Sequence, residues 1–507
     1  MLEHLPGLLA FNARQSTAIA LSLIASWQLA TIVYNLFFHP LRKFPGPLLY
    51  RASSLPWAFR HAYGDQAFYT QRLHEEYGPI VRIGPNHLSF TDPQAFKDIY
   101  GHRVGGGPEM SKTDVFSRTI RAVPTSILNA DREEHGRVRR ALAHGFSDSS
   151  MRQQESMIVE YVDLLVQRLH EECDNGKRVL NMEEWYNWTT FDIVGNLVFG
   201  QAFGSLKSTK YHPWIVFIMR GIRVGAILVA MDYIGLGILV QLMFQFTSLG
   251  PIKEMRQYTD DMLTSRLSME EGQDDLFEGL VKRREEWDLS FQKLASNAFI
   301  LVLAGSETTA TTLSGATYFL LTHPDILEKL NHEVRSTFKS PDEININSVS
   351  KLSYMLAVLN ESLRLYPPVT AGLVRQVPQG GEEIAGSYVP GGTFVEVQHW
   401  SANHSSDNWA DPWKFQPDRF LASPEEAREQ GNKLESLQAF SVGPRNCIGR
   451  NLAYAEMRLI LARIIYDFDM KLGDGSDAWI ERQKSFTLWD RIPLNVHMTP
   501  VGKSKEA

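Results

Sequence analysis

The sequence predicts a mainly α fold with a small β portion, behind an N-terminal transmembrane helix. Three observations carry that prediction: an uncharged apolar run over residues 17–38, long stretches of helical periodicity over residues 131–365, and extended pieces confined to residues 78–93, 386–397 and 492–500. Strands do not alternate with helices, so a parallel α/β sheet is not expected. With 44% hydrophobic and 11% aromatic residues among 507, the chain can bury a large core. No Gly/Ser linker, low-complexity tract or internal repeat divides it, so it reads as one domain, residues 44–507, behind a leader, residues 1–43. The net charge of -7 is spread along the sequence and leaves no footprint for nucleic acid. Two cysteines, Cys173 and Cys447, exclude a disulfide framework and fit a reducing compartment.

The leader TAIALSLIASWQLATIVYNLFF is long enough to cross a bilayer at about 1.5 Å per residue. A cleaved secretory signal is the rival reading, but it would be shorter and would carry a small-residue cleavage site. His39, Arg42 and Lys43 outweigh Arg14, which has Glu3 nearby, so the domain is expected on the cytosolic side. FPGP, residues 44–47, follows as a stiff, non-helical hinge. Residues 78–93 alternate apolar and polar side chains between Gly/Pro turns, the pattern of a hairpin. RVRRALAHGF, MIVEYVDLLVQRLHEEC and residues 290–322 are helical by spacing. Residues 212–246 form a second apolar region, interrupted by Arg220, Arg223 and Asp232. A second span would strand those charges in hydrocarbon, so a pair of apolar helices joined by a loop is expected, partly core and partly touching the membrane surface.

Chemistry concentrates around Cys447. Cys173, on an amphipathic helix, reads as buried filler. Cys447 lies in FSVGPRNCIGR, residues 440–450, where Gly443 and Gly449 permit tight turns and close approach to a flat object. A cysteine ahead of a helix and beside Arg445 is placed to become a thiolate, which suits a nucleophile or a metal ligand equally. A nucleophile would want a histidine base, and the closest downstream histidine is His497. A zinc site would want further local ligands.

Phe440, Gly443, Arg445, Cys447 and Gly449 together meet a Phe-x-x-Gly-x-Arg-x-Cys-x-Gly pattern that resembles the haem-binding loop of the cytochrome P-450 monooxygenases. The resemblance implies that Cys447 gives a thiolate to the iron of haem b (iron protoporphyrin IX), that Arg445 pairs with a propionate, and that Phe440 packs near the thiolate. It implies the same family's fold. Within FILVLAGSETTATTLSGATYFLL, an all-round apolar helix, Ala304, Gly305, Glu307, Thr308 and Thr309 resemble the family's oxygen-activation segment. Ala304 and Gly305 are expected to leave room for a ligand, and Glu307 with Thr308 to relay protons. Taken alone, Glu361 and Arg364 read as an exposed i,i+3 pair of little worth. With Arg419 of FQPDRF they resemble the family's Glu-Arg-Arg network, a structural role, although Asp418 stands where the family often has Glu. His135 and Arg139 share one helix face, and His135 stands where the family commonly has Trp. By resemblance both, with Arg375 of GLVRQVP, would contact propionates. Arg137 and Arg140, on other sides of that helix, read equally as an ordinary solvated face or as part of a basic docking surface for an acidic reductase.

The resemblance implies insertion of one O₂ oxygen into a lipophilic small molecule, with electrons from NADPH through a separate reductase, since no Gly-rich dinucleotide segment is visible. The partners it implies are an NADPH-cytochrome reductase, cytochrome b5 and the endoplasmic-reticulum membrane, crossed once. The hinge sequence FHPLRKFPGPLLYRAS resembles fungal microsomal enzymes of secondary metabolism. Pocket lining would come from residues 104–128, 212–246, 304–309, 369–374 and 486–489, with Ser306, Thr370 and Trp489 as orienting contacts. The alternatives are a haem-thiolate isomerase or dehydratase that needs no external electrons, or a non-catalytic haem protein; the Glu307-Thr308 pair argues against both. Asn187 and Asn403 head glycosylation sequons that a cytosolic domain would leave unmodified.

Overall fold

A computed structural model describes residues 13–103, 107–246, 250–269 and 275–502. Val104, the first of the expected pocket-lining residues, lies outside them. Helix holds 60% of the residues and strand 9%, which matches the mainly α reading.

The leader forms a helix over Ala13–Val33 that continues through a wider π turn over Tyr34–Phe38. Together Gln15–Phe38 is long and apolar enough to cross a membrane, and its most apolar stretch is not buried in the protein, although Asn35 near its end is. After a 3-10 turn over Pro40–Lys43, FPGP is non-helical, as its prolines require, but it is docked. Arg82 N–H donates to Pro45 O at 2.7 Å, and a Cβ on Gly46 would lie 2.4 Å from Arg82 O, so only glycine fits this approach. The fully buried Arg82 side chain also donates to Asn35 O at 3.0 Å, tying the end of the leader helix to the domain. FPGP is thus a clamp on the first strand as much as a hinge.

That strand, Ile80–Gly84, pairs antiparallel with His87–Phe90, as the alternation predicts. His87–Phe90 then pairs parallel with Phe394–Val397, whose other edge takes Arg375–Gln376 antiparallel. Beyond the leader, the second apolar region is a helix Pro213–Met231, a π turn Asp232–Leu236 with Gly235 at φ 90°, and a helix Gly237–Phe246. A kink, not the expected loop, therefore joins the pair. Two of its three charges are partnered: Arg223 pairs with Asp490, and Asp232 lies 4.0 Å from Arg121.

The core centres on the helix Phe291–Thr322, begun by the Ser290 side chain accepting from Lys293 N–H. It packs against Met182–Phe199 along much of its length and against Ser353–Leu365 and Arg450–Asp467 on other sides. A helix so surrounded must be apolar all round, which is what its sequence shows.

Candidate active site

The cysteine loop closes on itself. Cys447 N–H donates to Phe440 O at 2.9 Å, and Gly443 sits at φ +76° where a Cβ would lie 1.9 Å from Tyr100 O. Glycine is required there. At Gly449, the residue before Arg450–Asp467, a Cβ would meet Phe146 at 3.6 Å and Cys447 Sγ at 4.0 Å, which is ordinary contact. Protein packing does not demand that glycine; its bareness leaves open the space beside the sulfur. The Phe440 ring lies 5.1 Å from that of Tyr454, fastening the loop to the following helix.

Cys447 is solvent-accessible, although protein surrounds most of its thiol. Burial pushes the thiol up, against the Gly449 N–H, Arg139 and Arg450, which pull it down. The expected thiolate-stabilising neighbour, Arg445, points elsewhere: its guanidinium donates to Glu109 at 2.7 and 3.1 Å and to Ala130 O at 2.9 Å. Spacing alone misassigns that cation.

Arg139 grips the residue before the cysteine, donating to Asn446 O and Oδ1, both at 2.6 Å. His135, on the same helix Arg132–Ala143, is buried, and burial first, then Arg445 and Arg139, lowers it to about 4. It is neutral at pH 7 and can still donate one ring N–H. Arg375 is 4% exposed, stacks over the Tyr100 ring at 5.4 Å, and has no carboxylate within ion-pair distance among the described residues. Lys112, absent from the sequence expectations, donates to Leu128 O; burial first, then Arg375 and Arg445, presses its ammonium well below the usual range. Lys112, Arg375 and Arg445 thus crowd around a single carboxylate, Glu109. Such an excess of positive charge calls for an anion.

The central helix presents two faces at the expected segment. Ala304 is exposed and Thr308 partly so, although most of the helix around them is buried; Thr308 Oγ1 donates to Ala304 O at 2.7 Å. Gly305 does not leave room for a ligand. Its missing Cβ would stand 3.2 Å from both methyls of Val194, so it serves close packing with Met182–Phe199. Ser306 likewise turns inward to Thr190 O at 3.3 Å. Glu307 is 3% exposed and accepts from Arg491 Nη2 at 2.5 Å, while Arg491 Nε lies 3.4 Å from Glu183 Oε1. Burial raises the Glu307 carboxyl, Arg491 opposes this, and Glu183 adds to it.

Glu361, Arg364 and Arg419 do come together, and the exposed-pair reading fails: Glu361 and Arg364 are fully buried. Arg364 donates to Glu361 at 2.7 and 2.9 Å and to the carbonyls of Asn403, Pro412 and Lys414. Arg419 reaches Glu361 at 3.1 Å, and both guanidinium groups lie over the Trp409 ring. Asp418, the departure from the family pattern, faces outward to Lys329 at 2.5 Å.

A family profile for cytochrome P-450 matches residues 45–495. The chain belongs to the cytochrome P-450 family. It is 47% identical to a cytochrome P-450 monooxygenase of Talaromyces stipitatus, over 97% of this chain and 96% of that one. It is 43% identical to the averantin hydroxylase of Dothistroma septosporum, over 94% and 89%, and 40% identical to the trichothecene C-15 hydroxylase of Fusarium sporotrichioides, over 94% and 96%. This chain is a P-450 monooxygenase, and membership implies haem.

The residues of this P-450 fit that group. Among the described residues no three His, Cys, Asp or Glu side chains converge on a metal, so an iron at Cys447 must bring its other ligands, as a porphyrin does. A thiol that burial keeps protonated is one a metal cation would ionise. The under-neutralised cluster of Lys112, Arg375 and Arg445 suits two propionates. The P-450 pocket expectations fare less well: Thr370 is spent on Ser485, and Trp489 Nε1 donates to Pro367 O at 2.8 Å, so with Ser306 all three orienting candidates are satisfied within the core. Sequence reasoning misses Arg491, Glu183, Glu109, Lys112 and Trp409. Arg491, Glu183 and Glu109 lie far along the chain from the residues they serve, Lys112 and Trp409 lie nearer, and none has a local pattern.

Proposed function

We propose that this P-450 is a membrane-anchored enzyme that hydroxylates or epoxidises a lipophilic intermediate of fungal secondary metabolism. The observation that carries this reading is the accessible Cys447 thiol, on which Arg139 and Arg450 act, in a protein whose central helix opens Ala304 and Thr308 to solvent. Haem held by Cys447 would supply the oxygen chemistry, the thiolate's electron donation favouring O–O cleavage. Arg375, Lys112 and Arg445 would hold its carboxylates, with neutral His135 as a donor and Arg139 fixing the loop through Asn446. Thr308 would pass a proton at its hydroxyl, and Glu307 would supply one.

The similarity to hydroxylases of averantin and of trichothecenes supports a lipophilic polyketide or terpenoid substrate. Exposed Leu48, Leu49, Leu55 and Phe59 beside the leader, and Ile238 and Leu239 beyond the kink, support a face resting on the membrane beside a single Gln15–Phe38 span. Arg42 and Lys43 support a cytosolic domain at the endoplasmic reticulum. Both sequon asparagines, Asn187 and Asn403, are at most 1% exposed, so the folded chain offers neither to glycosylation. Electrons would come from NADPH through a reductase, aided by cytochrome b5, docking near exposed Arg140; Arg137 is already stacked on Trp287 at 5.1 Å.

The test is the reduced carbon-monoxide spectrum of the full chain. The red-shifted Soret band of thiolate-ligated haem is expected, and a band typical of histidine-ligated haem in freshly folded protein would remove Cys447 from the iron. Feeding lipophilic fungal metabolites to enzyme plus reductase would then identify the product.

A further inference from the structure

Glu307 sits in a cluster whose charges do not balance. It shares the single guanidinium of Arg491 with Glu183, at 2.5 and 3.4 Å. The side chains of Arg491, Glu307 and Glu183 are 1%, 4% and 7% exposed. Two carboxylates and one cation would leave a net negative charge away from water, which is costly unless a proton is retained. The surrounding groups do not supply a second cation. Tyr211 Oη reaches Glu183 Oε2 at 3.4 Å and Asn187 Nδ2 donates to Glu183 Oε1 at 2.6 Å. Tyr366 bonds Gln483 at 2.8 Å and is held as a neutral phenol by burial, and Glu184 adds only negative charge. Two atoms of the ion-paired groups, Glu307 Oε1 and Arg491 Nη1, are buried without a hydrogen-bond partner among the described residues. One is an acceptor or acid and the other a donor, the pair a bridging water needs.

Resting on the monooxygenase reading above, we propose that Arg491 and Glu183 are positioning residues for proton delivery: they hold Glu307 as the carboxyl that passes a proton through one bridging water to Thr308. The Glu307 O–H bond breaks and the proton goes to the water, which gives one of its own to Thr308 Oγ1 as the hydroxyl releases its proton to the dioxygen that the reaction reduces. The carboxylate left behind is held by Arg491 until it is reprotonated from solvent. Arg491 raises the stability of that carboxylate and Glu183 lowers it, so the two neighbours tune the same group in opposite directions.

The experiment is infrared difference titration of the full-length holoenzyme labelled with ¹³C-glutamate, following the protonated carboxyl stretch that disappears in Glu307→Gln. Arg491→Met should move its midpoint up by about one pH unit and Glu183→Gln should move it down by about one, each a roughly tenfold change in proton affinity; Arg491→Lys should restore the wild-type midpoint. With reductase and NADPH, the peroxide released per NADPH should rise in Arg491→Met and return toward wild type in Arg491→Lys. Midpoints that do not move, or that move the same way in both variants, overturn the proposal. So does unchanged peroxide release. If Arg491→Met does not fold, the direction of the Glu183→Gln shift decides alone. A wild-type carbon-monoxide band lacking the thiolate signature would sink the monooxygenase reading instead, and it leaves the opposed infrared shifts to be read independently.

Discussion

Among the buried clusters of carboxylate and guanidinium in the described residues of this P-450, the ones at Glu361 and at Arg491 have inverted stoichiometry. Around Glu361 two arginines share one carboxylate, and Arg364 spends its donors on Glu361 and on three backbone carbonyls. Around Arg491 two carboxylates share one arginine, and one atom of Glu307 and one of Arg491 stay unpartnered. The first arrangement is saturated, so any movement breaks hydrogen bonds in a dry interior. The second keeps unused capacity and an unneutralised charge, the conditions under which a proton or a water can be exchanged. A buried ion pair is therefore not one kind of object: what it can do depends on which partner is in excess.

The largest effect should come from removing the shared carboxylate of the saturated cluster. Glu361→Gln leaves two buried guanidinium groups without a counter-charge and should cost about 3–5 kcal/mol, read as a fall in melting temperature and loss of bound haem. An effect of similar size, but one that develops with pH, is expected at a buried acid with no arginine. Glu396 is pushed up to about 8 by burial, and although it lies 4.0 Å from His87, burial lowers that histidine to about 3, so at pH 7 the two are uncharged. Its folded value exceeds the unfolded one, so its contribution is fully present at low pH and is lost as pH rises through about 8. Glu396→Gln should remove a slope of about 1.4 kcal/mol per pH unit between roughly pH 4.5 and 8, leaving the variant more stable than wild type at pH 9 in urea melts.

Glu307→Gln makes the opposite case to Glu361→Gln. It reduces the excess negative charge and keeps an acceptor for Arg491, so stability should stay within about 1 kcal/mol of wild type. A loss as large as that of Glu361→Gln would erase the contrast between the clusters. Thr308→Ala should be the smallest in stability, within about 0.5 kcal/mol, because among the described residues its hydroxyl bonds only to the Ala304 carbonyl of its own helix. Its cost should appear in turnover, as less product and more peroxide per NADPH.

Much of the fold and of the site is legible in the order of residues alone. Periodicity places the 291–322 helix, alternation places the 80–90 hairpin, and the loop pattern selects Cys447. Directions are what sequence reasoning misses. Glu307 and Thr308 are adjacent in sequence, but a helix turns about 100° per residue, so one faces Arg491 and the other the open side. Gly305 and Ser306 read as pocket residues because they lie beside Ala304, and the same rotation turns them into the contact with Met182–Phe199. Glu361 and Arg364 resemble a solvated pair because i,i+3 spacing fixes a shared face without saying what covers it.

The sequence by itself determined the local chemistry: which segments could be helix or strand, which thiol had room for a flat cofactor, and which leader could enter a membrane. Those follow from side-chain size, polarity and spacing along the chain. Tertiary structure alone decided the partnerships, Arg491 with Glu307, Glu109 with Arg445, and Asn446 with Arg139, across separations of 184, 336 and 307 residues. Charges far apart in sequence interact only once the backbone has brought them within a few ångströms in a medium dry enough for the interaction to matter.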